Sequence, residues 1–171
     1  MRKGKTIFFA KKIAGWENVC NFAATNLTTR AEKQRTRVRL FLYICLFAEK
    51  VDKKAVAEDF GLPQHEFLIS WMESLTSLRN FCAHHSRIWN RRYALKPQMP
   101  KTLAGRKWLT NFSFPPDKIY PQLCCIAYLL NAIDTQNTFA TEFKALLAKY
   151  PTVDAIAMGF PNGWQQELLW M

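Results

Sequence analysis

Between Ser74 and Pro116 the sequence contains no aspartate or glutamate, a gap of more than forty positions in a chain of 171. Histidine is scarcer still, with only His65, His84 and His85, and the five cysteines (Cys20, Cys45, Cys82, Cys124, Cys125) form no C-x-x-C pair. Zinc takes about four such ligands, and the stretch around the histidines offers no carboxylate to substitute for them, so neither a metal site nor a cofactor is expected. Odd in number and mostly set among apolar neighbours, the cysteines read as reduced core thiols. The longest apolar run, Leu40 to Ala48, falls far short of the roughly 20 residues that span a bilayer. Ile7 to Ala10 is too short for the apolar part of a signal peptide and is followed at once by Lys11 and Lys12. A cytoplasmic protein without a membrane partner is the expectation. Internal repeats, low-complexity tracts and convincing strand patterns are absent too.

Positive charge is abundant, and it is unevenly placed. Residues 1–39 carry ten Lys/Arg against Glu17 and Glu32, whereas the rest of the chain carries fourteen against eleven. Within that nearly balanced remainder, the acid-free stretch holds Arg79, Arg87, Arg91, Arg92, Lys96, Lys101, Arg106 and Lys107. A block of one sign without internal counter-charges suits a polyanion such as nucleic acid, although a solvated basic face would have the same composition.

Periodicity predicts five or six helices and hence an all-α fold, a compact helical bundle. Arg37 to Lys50 reads as an apolar helix. Asp52 is placed to cap a short one running through Phe60, which Gly61 stops. Pro63 suits the first turn of a long helix, since its missing N–H would be unpaired there, and from Gln64 to Leu95 there is no Gly or Pro. After a loop rich in proline, a helix starts near Pro121 and another covers Phe139 to Lys149. Pro151 to Met171, with Gly159, Pro161 and Gly163, reads as an irregular tail wrapped on the bundle. Residues 1–36 form a basic segment apart, and 37–171 form the helical domain.

On a helical wheel drawn through the long helix, Leu68, Trp71, Leu75, Leu78, Cys82 and Trp89 share one arc, as a buried stripe would. Arg87, Asn80, Arg91 and His84 fall on the opposite side, with Arg79 between the two. Arg79, Asn80, His84 and Arg87 can therefore meet on consecutive turns. His85 projects toward the apolar arc, so His85 and Trp89 are read as structural and His84 as the chemical group. An imidazole, with its ordinary pKa near ~6.5, can move protons at neutral pH, and a guanidinium can neutralise phosphate charge. Those groups suit cleavage of RNA, where the 2′-hydroxyl is the nucleophile and no metal-bound water is needed. Arg87, Arg91, Arg92 and Lys96 would hold the backbone, and Asn80 would touch phosphate or fix Arg79.

The string Leu78-Arg79-Asn80-Phe81-Cys82-Ala83-His84-His85-Ser86-Arg87-Ile88-Trp89-Asn90-Arg91 strongly resembles the R-N-x-x-A-H-H-x-R-x-W-N-R signature of bacterial abortive-infection (Abi) proteins, of the HEPN superfamily. The resemblance runs from about Phe41 to the C-terminus. It takes in Phe60-Gly61-Leu62, Trp71, Tyr120-Pro121-Gln122-Leu123, Met158-Gly159-Phe160-Pro161, Trp164 and Trp170. It implies a HEPN-like helical fold and a metal-independent endoribonuclease of phage defence or a toxin–antitoxin system, leaving a 2′,3′-cyclic phosphate. Arg79 and His84 match the R-x-x-x-x-H catalytic pair, and Asn80 matches the polar residue after the arginine. Relatives generally pair two such motifs across a homodimer, and an RNA or protein antitoxin is implied as a partner. They are usually roughly twice this length, and residues 1–36 do not resemble what normally precedes the matched part, so the usual N-terminal region is expected to be lacking.

Two other readings start from the same residues. Superfamily members that lost cleavage bind RNA or act as antitoxins, because one fold supports both outcomes. Asp52 to Leu75 also has the outline of a helix-turn-helix DNA reader. Against that, Asp52 to Glu73 holds five acids and only Lys53 and Lys54 as bases, whereas a recognition helix should meet phosphates with the other sign.

Overall fold

The computed structural model describes residues 50–134 and 136–171. The chain divides into two units, Met1–Ile44 and Cys45–Met171, and the described residues all belong to the second. The basic segment 1–36, the boundary expected after it, and all but the last residue of the helix expected over Arg37 to Lys50 lie outside the described residues. Among the described residues four helices follow one another: α1 (Lys50–Asp59), α2 (His65–Ala83), α3 (Ile119–Ile133) and α4 (Phe139–Lys149), and then two short 3₁₀ turns, Trp164–Gln166 and Leu168–Trp170. The fold is all-α. Among the described residues the one β pairing is an isolated bridge between Leu103 and Arg106. Ala104 and Gly105 both take positive φ to close it, as a two-residue turn of that kind requires.

The chain is already helical at Lys50, so Asp52 lies inside α1 and does not cap it. Gly61 then turns left-handed (φ 67°), and a Cβ there would stand 3.0 Å from the Ala104 Cβ and 3.2 Å from the Tyr128 hydroxyl. Only glycine fits that crossing. Its carbonyl accepts from Ala104 N–H at 2.7 Å, and Tyr128 Oη donates to the neighbouring Phe60 carbonyl at 2.7 Å. The turn is thereby tied to both the long loop and α3. Gln64 is the extended residue before α2, which places Pro63 just ahead of the helix and not in its first turn.

α3 is the central element, with Ile119 to Cys125, Ala127 and Leu129 all buried, and it touches α2, α4 and the final turn. Trp71 of α2, Trp108 and Tyr128 form a triangle of rings with centroids 5.6 to 5.8 Å apart. A second aromatic cluster closes the other end, where Tyr120, Phe143, Phe160, Trp164 and Trp170 pack at 4.7 to 6.3 Å. The irregular tail holds itself there through Glu167. That buried carboxylate accepts from Thr110 N–H (2.7 Å), Thr110 Oγ1 (2.7 Å) and Asn111 N–H (2.9 Å), so its charge is met by three donors. Gly159 (φ 90°) lets the tail pass Lys118, whose Cβ would lie 2.5 Å from an added Cβ. Burial pushes the Cys124 thiol up to about 12, as befits an unreactive core cysteine.

Candidate functional site

Two halves of α2 set up the site. Its first part is anchored: Leu68, Trp71, Met72, Ser74 and Leu78 are buried. Their polar neighbours also capture the loop that follows the helix. Trp71 Nε1 donates to the Gln98 carbonyl (2.6 Å), Ser70 Oγ to Lys96 O (3.3 Å) and Ser74 Oγ to Leu95 O (3.2 Å). Gln122 Nε2, buried on α3, donates to Ser74 Oγ at 2.9 Å. The loop is irregular in shape, yet these carbonyls are satisfied by helix side chains, which fastens it to the root of α2.

Beyond Leu78 the helix runs out of cover. Arg79, Asn80, Cys82, Ala83, His84 and His85 are all exposed. α2 ends at Ala83, with His84 as its last half-helical residue, and does not continue to Leu95. The stop is a Schellman turn: His85 N–H bonds to Cys82 O (3.1 Å) and Ser86 N–H to Phe81 O (2.9 Å). His85 occupies the left-handed position (φ 50°) normally taken by glycine. His and Asn tolerate that conformation better than most residues, and Asn90 does the same a few residues on (φ 49°).

The structure corrects three expectations. The wheel puts Cys82, His85 and Trp89 on the buried arc, and for His85 and Trp89 it is drawn beyond the end of the helix. His85 and Cys82 are exposed, and Trp89 is 42% exposed. For His85 and Trp89 the physical reason is that a 100° wheel has no meaning past a left-handed residue; Cys82 is still helical and is exposed because the cover over α2 ends at Leu78. Both neighbouring imidazoles, His84 and His85, therefore stand free at one helix end.

Arg79 Nη1 donates to Asn80 Oδ1 at 3.1 Å, and His84 N–H donates to Asn80 O at 3.0 Å, so the three residues of the R-N-x-x-x-H string share one turn and a half of helix. The four other basic residues are less alike than their sequence suggests. Arg92 forms an ion pair with Asp117, and the guanidinium holds that carboxyl below the usual carboxylate range, with a smaller contribution from Lys96. The acid-free block is thus partly neutralised by the first acid beyond its edge. Arg91 lies over the Phe81 ring, 3.8 Å from its centroid, and Phe81 meets Tyr93 edge-on at 5.9 Å. Among the described residues Arg87 has no acidic partner. Asp117, Phe81 and Tyr93 were not singled out from sequence. The one available signal was that Asp117 ends the acid-free stretch. No group of three or more His, Cys, Asp or Glu able to hold a metal stands among the described residues.

A helical domain in which the longest of the described helices ends in an exposed arginine, asparagine and histidine, backed by a loop fastened to its root, is the class of protein the fold and site define. Within that class, the profile of a family described as Abi-like protein matches residues 38–90. The match spans α1, the Gly61 turn, the whole of α2 and the motif through Asn90. No curated protein and no solved structure matches the chain. No helix among the described residues is long and apolar enough to cross a membrane.

Proposed function

We propose that this Abi-like chain is a metal-independent endoribonuclease of HEPN type, acting in abortive infection or a toxin–antitoxin system. The reading is carried by one observation: Arg79, Asn80 and His84 are exposed on the last turns of α2, with Arg79 hydrogen-bonded to Asn80 and no carboxylate among them. His84 removes the proton of a ribose 2′-hydroxyl, whose oxygen attacks the adjacent phosphorus. Arg79, oriented by Asn80, offsets the charge that develops on the phosphate oxygens. The P–O5′ bond breaks and the 5′-oxygen must gain a proton, leaving a 2′,3′-cyclic phosphate and a 5′-hydroxyl. One imidazole cannot stand on both sides of the phosphorus, so the same histidine of a second copy supplies that proton in a two-fold dimer. Arg87 and Lys96 guide the RNA backbone.

The test is incubation of the purified protein with total bacterial RNA in EDTA, followed by end-group analysis. Fragments ending in cyclic phosphate are expected. Activity lost in EDTA and restored by Mg²⁺ or Mn²⁺ would overturn the metal-free chemistry, and RNA binding without fragments would mark a binding module. Mixing wild-type with His84→Ala chains should reduce activity dominantly. A monomer that cleaves at full rate across dilution would instead assign the second proton to a group of the same chain, His85 being the nearest in sequence.

A further inference from the structure

Five tryptophans lie among the described residues. Four of them, Trp71, Trp108, Trp164 and Trp170, are at most 6% exposed, while Trp89 is 42% exposed. Among the described residues no aromatic ring packs on Trp89, and its indole N–H has no acceptor. An isolated exposed tryptophan on a loose loop would mean little. Here the turn beneath it is fastened on every side. Tyr93 Oη donates to Ile88 O at 2.8 Å, and Lys118 Nζ donates to the left-handed Asn90 Oδ1 at 2.6 Å. Arg91 is held on Phe81, Arg92 on Asp117, and Tyr93 N–H on Asp117 O at 2.8 Å. The fold thus immobilises the neighbours of Trp89 and leaves the indole itself uncovered, five positions after His84.

The geometry points to Trp89 as a stacking platform for an unpaired nucleobase of RNA bound at the Arg79/His84 site, and this inference rests on the RNA reading above. A large flat ring presented on a rigid turn loses little entropy on binding. Every base has a π face, so such a platform accepts single-stranded RNA without reading its sequence. Charge complementarity favours this occupant over an apolar protein surface. The indole sits in the stretch from Ser74 to Pro116, which has no acid, and is flanked by Arg87 without a counter-ion. A platform on the turn that follows the reacting histidine would also position the phosphate next to the stacked nucleotide, linking base recognition to the choice of cleaved bond.

The test is equilibrium binding of a 2′-O-methyl oligouridine decamer, which lacks the attacking hydroxyl and so reports binding alone, to the full chain and its variants. Trp89→Ala should weaken binding about 5- to 150-fold with an unchanged salt slope, because the ring brings no charge. Trp89→Phe should restore most of the affinity, and Trp89→Leu, apolar but unable to stack, should not. Arg87→Ala should lower the salt slope by about one ion. Equal affinity for the Ala and wild-type chains, with Arg87→Ala still weakened, would overturn the platform and leave the RNA reading intact. Wild-type protein that fails to bind the decamer would defeat both. A change of sedimentation coefficient in Trp89→Ala, with affinity per assembled protein unaltered, would identify the indole as a subunit contact and overturn the proposal.

Discussion

The two halves of α2 obey opposite rules although they belong to one continuous helix. From Leu68 to Leu78 the residues that face inward are buried, and two of the three serines, Ser70 and Ser74, bond to loop carbonyls. From Arg79 to His85 nearly everything is exposed, only Phe81 is half-covered, and the backbone ends in a strained left-handed residue. The difference teaches how a helix can serve as both foundation and tool. Packing of the root fixes the axis, so the groups on the tip inherit a direction without being buried themselves, and strain is tolerated where the surroundings over-determine it.

If root and tip are separable in this way, the largest effect should come from the tip with no cost to the root. His84→Ala should lower RNA cleavage by about 10²- to 10⁴-fold, the usual contribution of a general acid or base. The melting temperature should hold, because His84 serves the fold through its backbone N–H to Asn80 O, which alanine keeps. A fall in melting temperature of many degrees would show that the tip is part of the foundation.

The converse experiment attacks the root. Trp71→Ala removes a fully buried indole, its bond to Gln98 O and its contacts with Trp108 and Tyr128. A cost of about 3 to 5 kcal/mol is expected in urea unfolding. A change below about 1 kcal/mol would mean that the loop is held by something other than this residue.

Titration separates the turn after the tip from both. Burial raises the Tyr93 phenol to about 12, so its folded pKa lies above the ordinary value near ~10. Its contribution to stability is complete below pH 10 and is lost as pH rises through about 12. Asp117 has the opposite sign: Arg92 lowers its pKa, so that contribution is complete above the usual carboxylate range and is lost as pH falls through the lowered value. Tyr93→Phe should flatten the alkaline limb of a stability–pH profile while costing about 0.5 to 1.5 kcal/mol at neutral pH for the lost bond to Ile88 O. An alkaline limb unchanged by that substitution would place it on Tyr120 and Tyr128, whose phenols burial also raises.

The parts of this molecule legible in sequence are those where periodicity and punctuation coincide. α4 occupies Phe139–Lys149 as read, α3 opens at Ile119 close to the expected Pro121, and the tail broken by Gly159, Pro161 and Gly163 is irregular apart from its 3₁₀ turns. The end of α2 was not legible, because no glycine or proline marks it and the left-handed residue is a histidine. The errors about the faces of His85 and Trp89 descend from that missed boundary, whereas Cys82 is still helical and is exposed because the cover over α2 ends at Leu78. Arg79, Asn80 and His84 all precede the left-handed residue, with Arg79 bonded to Asn80 and His84 capping the helix. Pairing across distance was the other hidden term: the charge of Arg92 is met by Asp117, twenty-five residues away, and no local pattern announces such a partner.

The smallest expected effect tests the boundary itself. His85 holds φ at 50°, and for a residue with a Cβ the left-handed region costs about 1 to 2 kcal/mol. Glycine is free of that cost but gives the unfolded chain more freedom, worth about 0.5 to 1 kcal/mol. His85→Gly should therefore leave the Schellman turn in place and raise stability slightly, by about 0.5 to 1 kcal/mol, measured as a later urea midpoint with an unchanged slope. Loss of stability would mean that the exposed imidazole does structural work after all. A gain in stability accompanied by loss of cleavage, with His84 still present, would mean that the strain is kept for chemistry. The second proton of the reaction would then belong to His85, and the dimer would be needed for binding and not for proton transfer.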